Sequence, residues 1–194
     1  MIENENSFCI KPTIFIAIPI AEQLQMFENM QKYFVCMLSN KIEPARNLHV
    51  TIAYIGQVET IHVNEILKVV KKAMKDFAML RKPVHLLWLG EVSLYNNAIA
   101  LTFAYDEGLA LLAQVVRKEL VRAGIQFDDK FPFRAHTTIA RIKPNDMIKK
   151  ISVKRDVLAL IKQTTIYALH PILIKQIGVY KSGQIVPLKI FNCT

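Results

Sequence analysis

The chain has 194 residues, 52% of them hydrophobic and 21% charged, which fits a globular domain with a substantial core and excludes a disordered or fibrous protein. Its formal net charge of +9 favours an anionic partner such as nucleic acid or a phosphorylated small molecule, although a soluble basic protein without such a partner can carry the same charge. No apolar run approaches the ~20 residues that span a bilayer, and three scattered cysteines suit a reducing compartment, so we expect a cytoplasmic protein without a membrane anchor.

The first two thirds of the chain alternate short apolar runs with amphipathic segments. The pattern predicts a strand over 13–18, a helix over 21–38, a strand over 48–55 stopped by Gly56, and a helix over 61–79. Two strands over 84–93 and 98–105 follow, with a hairpin turn at Tyr95 to Asn97. Asp106 is placed to cap a helix that runs to about Ala123.

The last third continues in the same style. It predicts a strand over 135–142, a short helix within 145–162, and strands near 164–169, 171–180 and 185–191. Hairpins mixed with helices favour an α+β fold with mainly antiparallel sheets over a doubly wound parallel sheet.

One segment occurs twice. Residues 48–55 (LHVTIAYI) and 135–142 (AHTTIARI) share His, Thr, Ile, Ala and Ile at matching positions, and each copy follows a loop and ends near a breaker. The copies lie a little under half the chain apart, which indicates a duplicated, pseudo-twofold fold. We therefore expect a single bilobal domain over residues 1–194, with two mainly antiparallel sheets forming a central cleft and helices outside.

The repeat brings together the side chains that phosphodiester chemistry needs. Residues i and i+2 of a strand share a face, so His49 lies beside Thr51 and His136 beside Thr138. Unperturbed imidazole has a pKa of about 6.5, so one histidine can remove a proton while the other supplies one. The threonine hydroxyls are suited to hold the non-bridging phosphate oxygens.

Two other interpretations apply to the same residues. A single histidine in an apolar strand is usually a hydrogen-bonded core residue, but burying four polar side chains among Ile, Val and Ala would be costly without a function. A metal site would need an Asp, Glu or Cys in ligand spacing near the histidines, and neither copy has one. The repeat therefore favours acid–base catalysis.

These residues resemble the two-histidine (2H) phosphoesterase superfamily. The closer similarity is to the RNA 2′,3′-cyclic phosphodiesterase or 2′-5′ RNA ligase group (LigT/ThpR-like). Residues 44–56 (PARNLHVTIAYIG) are similar to that group's Pro-x-x-Asn-Leu-His-x-Thr-Leu-x-Phe-Leu-Gly, and residues 133–141 (FRAHTTIAR) to its Phe-x-Pro-His-x-Thr-Leu-Ala-Arg. Ala135 stands where that group has proline, and Thr137 stands at a position that is usually apolar.

The resemblance implies opening of a 2′,3′-cyclic phosphate, on RNA ends or nucleotides, to a 2′-phosphomonoester without a metal or other cofactor. It implies that His49 is the general acid and His136 the general base, although the symmetry of the two motifs does not distinguish these roles. It also implies a phosphate-binding Arg141. Strict alternation puts Arg141 on the face opposite His136, so strand twist or a bulge must redirect it if it is to reach the phosphate; otherwise Arg141 is a surface or lobe-bridging cation.

Other residues and other functions stay open. Arg46, Lys130 and Arg134 precede the motif strands and are candidates for RNA-backbone contacts, Phe131 and Phe133 for base stacking or the core, and Tyr54 for the core. Alternative functions are a 2′-5′ RNA ligase, a 2′-5′ oligonucleotide phosphodiesterase, or a non-catalytic RNA- or nucleotide-binding module. We expect a monomer.

Overall fold

The computed structural model describes residues 11–20, 47–95, 98–130, 132–141, 171–184 and 186–193. The predicted helices over 21–38 and within 145–162, the predicted strand near 164–169, Arg46 and Phe131 lie outside these residues. The described helices are α1 (Thr60–Ala78) and α2 (Glu107–Arg122). The strands are β1 (Thr13–Pro19), β2 (His49–Gln57), β3 (His85–Leu86), β4 (Trp88–Tyr95), β5 (Ala98–Phe103), β6 (His136–Arg141), β7 (Ile172–Leu173), β8 (Gln176–Lys181) and β9 (Lys189–Asn192).

The strands form two larger sheets and one short pair. The first sheet has the order β2-β1-β8-β9, the second has the order β4-β5-β6, and β3 pairs with β7. All of these described pairings are antiparallel. The predicted α+β fold with mainly antiparallel sheets is therefore confirmed.

Both helices have the bounds that sequence periodicity predicts, to within one or two residues. Helix α1 buries Ile66, Val70, Ala73, Met74 and Phe77 on one face. The carboxylate of Asp106 caps α2 by accepting a hydrogen bond of 2.7 Å from the backbone N–H of Leu109. Neither of these described helices is long and apolar enough to cross a membrane.

The two helices pack against each other and so connect the halves of the molecule. Lys72 of α1 and Arg122 of α2 both contact the buried carboxylate of Glu119 on α2. The hydrogen bond from Lys72 lowers the pKa of this carboxyl, which burial alone would raise. One continuous core joins α1, α2 and the inner faces of both larger sheets.

Two predicted strands are interrupted in the structure. The segment predicted as a strand over 84–93 divides into β3 and β4, because β3 pairs with β7 while β4 pairs with β5. The segment over 171–180 divides into β7 and β8. Between them the backbone N–H of Ile174 donates to Val84 O at 2.8 Å, so the chain leaves one sheet before it joins another.

Candidate active site

The two repeated segments become β2 and β6, which are edge strands of different sheets and lie beside each other. The edge of β2 that does not pair with β1 accepts hydrogen bonds from the second half of the chain. Arg117 of α2 donates from Nε to Ile52 O at 2.9 Å, and the backbone N–H of Asp128 donates to Tyr54 O at 2.8 Å. These bonds satisfy edge carbonyls and hold the two motif strands in one assembly.

Each motif strand has a β-bulge at the same place. Along β2 the pairing with β1 shifts between Thr51 and Ala53, and along β6 the pairing with β5 shifts between Thr138 and Ala140. The extra residues are Ile52 in β2 and Ile139 in β6. The two strands also share one burial pattern over their first six residues: half-buried, buried, half-buried, buried, buried, exposed. Two consecutive core-facing residues are what a bulge produces.

The bulges decide which way the last motif residue points. In the ladders, Arg141 is paired with Ala98, Thr138 with Ala100 and His136 with Thr102, so all three lie opposite alternate residues of β5. Arg141 therefore lies on the same face as His136, which we name the histidine face. Strict alternation, which puts Arg141 on the opposite face, is wrong here because the bulge shifts the phase by one residue.

Tyr54 is the counterpart of Arg141 in β2. It is paired with Phe15, two residues before the Ala17 that faces Thr51, so it also lies on the histidine face. The residue is 48% exposed. The suggestion that Tyr54 belongs to the core is therefore wrong, and the same bulge is the reason.

Both histidine rings are held in the same way. Nδ1 of His49 lies 2.6 Å from Asn47 O, and Nδ1 of His136 lies 2.8 Å from Arg134 O. A carbonyl oxygen only accepts hydrogen bonds, so each bond requires a proton on Nδ1 and places the lone pair of the neutral ring on Nε2. The geometry thus fixes the tautomer that exchanges protons through Nε2.

Aromatic rings support both imidazoles. The Phe15 ring lies 4.9 Å from that of His49, and Tyr180 stacks on Phe15 at 5.3 Å. On the other side, the Tyr95 ring lies 4.9 Å from that of His136. Burial raises the pKa of the Tyr180 phenol, so it stays protonated near neutral pH.

Small residues lie beside the threonines. Thr51 is in register with Ala17, which is in register with Gly178; Thr138 is in register with Ala100. A Cβ on Gly178 would come within 2.6 Å of the Tyr180 ring, so glycine is required there for the stack that supports His49. The small residues beside Thr51 therefore leave room for the Tyr180 ring on the histidine face of the first sheet.

The other predicted candidates divide between surface and core. Arg134 and Lys130 are exposed, and Phe133 is partly buried against the core with Arg117 over its ring at 5.3 Å. Two histidines outside the repeat are not part of this set: His85 lies 3.5 Å from Asp106, and His62 is exposed on α1. Within the described ranges, no group of three or more His, Cys, Asp or Glu side chains lies close enough to hold a metal ion.

Sequence reasoning missed the residues that support the site rather than those that form it. Phe15, Tyr95 and Tyr180 come from strands that carry no motif, and Arg117 comes from a helix. One signal for the bulge was present: Ile-Ala follows Thr in both copies, and two adjacent apolar residues break the alternation of a strand with one buried face.

Comparison with solved structures places the fold among phosphoesterases. E. coli LigT complexed with 3′-AMP matches with a TM-score of 0.66 and 19% identity, covering 95% of this chain and 99% of that chain. The MHV ns2 PDE domain matches with a TM-score of 0.58 and 16% identity, covering 89% and 100%. At these identities the similarity establishes the fold. No family model and no curated protein matches the sequence.

Proposed function

We propose that the protein hydrolyses 2′,3′-cyclic phosphates, on RNA ends or nucleotides, to 2′-phosphomonoesters by paired histidine catalysis. The observation that carries the proposal is the matched geometry of two imidazoles on adjacent edge strands. Each has Nδ1 on a carbonyl two residues earlier and a threonine two residues later on the same face. A binding module has no need of two titrating groups held in one tautomer.

The reaction needs one neutral and one protonated ring. Neutral His136 accepts a proton at Nε2 from a water whose oxygen attacks phosphorus. As the bond from phosphorus to the 3′ oxygen breaks, protonated His49 donates its Nε2 proton to that oxygen. The product carries a 2′-phosphate and a 3′-hydroxyl, and the two rings recover their starting states by exchange with water. This assignment follows the resemblance, since the hydrogen bonds on the two rings are alike.

The remaining residues of the histidine face act on the phosphate charge. Thr51 and Thr138 donate from their hydroxyls to non-bridging oxygens. The guanidinium of Arg141 adds a positive charge on the same face, where the negative charge of the phosphoryl group is concentrated in the transition state. None of these steps is assigned to a metal ion.

The compared structures support the choice of substrate class. E. coli LigT is solved with 3′-AMP and with phosphate, so the fold accommodates a nucleotide monophosphate in that protein. The net charge of +9 in this chain agrees with an anionic substrate.

The test is incubation of an RNA oligonucleotide ending in a 2′,3′-cyclic phosphate with the protein in EDTA, followed by separation of products. We expect a 2′-phosphomonoester. The matched pair is His49→Ala, which should lose at least about 100-fold in activity, and His62→Ala, which changes an exposed histidine of α1 and should be fully active. Unchanged substrate, or full activity of His49→Ala, would contradict the proposal.

Product analysis on linked oligomers separates the alternatives. Dinucleotides with 2′-5′ and 3′-5′ linkages should both be poorer substrates than the cyclic phosphate. If only the 2′-5′ linkage is cut, the protein is a 2′-5′ oligonucleotide phosphodiesterase instead. If RNA halves are joined and the cyclic end is not hydrolysed, the ligase interpretation replaces hydrolysis, and binding without any turnover would indicate a non-catalytic module.

A further inference from the structure

A groove with a volume of about 800 Å³ runs between α2 and the segment that leads into β6. One end is formed by Thr102, which is in register with His136, and by Arg134, whose carbonyl holds the His136 ring. Neither histidine is among the described residues that line it. The groove is therefore next to the candidate active site and distinct from it.

The groove has an apolar floor and a cationic rim. Leu109, Ala110 and Ala113 of α2 line the floor, with Phe133 opposite. Tyr105, which is 84% exposed, stands at the rim. Apolar and aromatic side chains in a cavity of this size suit a planar organic ring, since small-molecule sites occupy roughly 300–1,000 Å³ and are lined mainly in this way.

The charges around the groove favour an anion. Arg117, Lys118 and Arg134 all line it. The one carboxylate among its described lining residues, Asp106, accepts hydrogen bonds from the backbone N–H groups of Leu109 and His85 and so is occupied in capping α2. Burial lowers the pKa of the Arg117 guanidinium, but an arginine keeps its charge because its ordinary pKa is so high.

We propose that this groove binds the nucleotide next to the reacting one in a single-stranded RNA, with the base over the apolar floor and its phosphate at the cationic rim. The inference rests on the proposed function, because it takes the cyclic phosphate at the two histidines as the end of the strand. Aromatic side chains that stack bases, beside cations that follow the backbone, are the usual features of single-strand sites. A second copy of this chain fits less well, because it too carries a net charge of +9.

Kinetics with substrates of two lengths test the proposal. The substrates are 2′,3′-cyclic AMP and a trinucleotide of adenosine ending in a 2′,3′-cyclic phosphate. We expect kcat/KM for the trinucleotide to exceed that for the mononucleotide by about tenfold, since one stacked base is worth roughly 1–3 kcal/mol. Lys118→Glu and Tyr105→Ala should remove most of this advantage and leave mononucleotide hydrolysis within about twofold. Lys71→Glu makes the same charge change on the exposed face of α1 and is the control.

Equal kcat/KM for the two substrates, or equal losses on both, would overturn the proposal. So would a loss in Lys71→Glu as large as that in Lys118→Glu, because the effect would then come from the net charge of the protein.

Fluorescence anisotropy with the trinucleotide bearing a 3′-phosphate needs no turnover, so it tests RNA binding in the groove separately from the proposed hydrolysis. Lys118→Ala should weaken that binding and reduce the slope of log Kd against log salt by about 0.7. If Lys118→Ala leaves both the Kd and the salt slope unchanged, the groove does not bind the RNA, even if the protein hydrolyses the cyclic phosphate. If the slope changes, RNA binding in the groove is supported even if no hydrolysis is observed.

Discussion

Strands β2 and β6 are alike where they hold the histidines and differ where they end. Both place a histidine, a threonine and a bulge in the same order, and both bury the same positions. They differ two positions after the bulged residue, at Tyr54 in β2 and Arg141 in β6. They also differ at the residue after the histidine, which is Val50 in β2 and Thr137 in β6. The shared part fits a proton-transfer pair, and the differing part fits a substrate that is not symmetric.

The largest effects should come from the shared part. His49→Ala and His136→Ala should each lower kcat by about 10²–10⁴-fold on a 2′,3′-cyclic phosphate, because each removes one proton-transfer group. If the two rings act on one phosphate, the double variant should lose little more than the worse single variant. Steady-state kinetics on all three variants measure this. Losses that multiply would mean that the two histidines act independently.

The next effect should come from the residue two positions after the bulged residue. Arg141→Gln should lower kcat/KM by about 10–100-fold, because a charge-assisted bond to phosphate is worth roughly 1.5–3 kcal/mol. The matched change in β2, Tyr54→Phe, should alter it less than about threefold, since it keeps the ring and the net charge. A larger loss in Tyr54→Phe than in Arg141→Gln would reverse our reading of the asymmetry.

Smaller effects should come from the strands that lie one strand beyond the partners of β2 and β6, which are β8 and β4. Gly178→Ala should lower the free energy of unfolding by about 1–3 kcal/mol and reduce activity, because its Cβ would displace the Tyr180 ring and thus the support of His49. Ser93, which is in register with Ala100 beside Thr138, bonds Thr102 at 2.9 Å. Ser93→Ala should cost less than about 1 kcal/mol. Chemical denaturation and kcat/KM together measure both variants. A neutral Gly178→Ala would contradict the supporting role of the stack.

The smallest effect should be an increase in stability. Thr137 is fully buried, and its Oγ1 has no hydrogen-bond partner among the described residues, whereas Val50 at the matching position is buried and apolar. Thr137→Val should therefore raise the free energy of unfolding by about 1 kcal/mol, and Val50→Thr should lower it by about 1–3 kcal/mol. Denaturant titration of both variants tests this. Destabilisation by Thr137→Val would indicate that the hydroxyl is needed.

The sequence predicted the parts of the site that depend on a repeated local pattern. The His-x-Thr repeat placed His49 with Thr51 and His136 with Thr138 on one face of each of two strands, and periodicity predicted α1 and α2 nearly to the residue. It did not predict which face Arg141 takes, because a bulge depends on pairing between strands. Nor did it predict the aromatic supports, because the contact between Phe15 and His49 joins residues that are distant in the sequence.

In the proposed reaction both repeats act on a single phosphate. A crystal structure with 2′-AMP, the product of hydrolysing 2′,3′-cyclic AMP, tests it most directly. We predict the phosphate between the two strands, with Nε2 of His49 and of His136 and Oγ1 of Thr51 and of Thr138 each about 2.6–3.2 Å from its oxygens. A phosphate held by only one of the two motifs, or bound elsewhere with the rings turned apart, would contradict it.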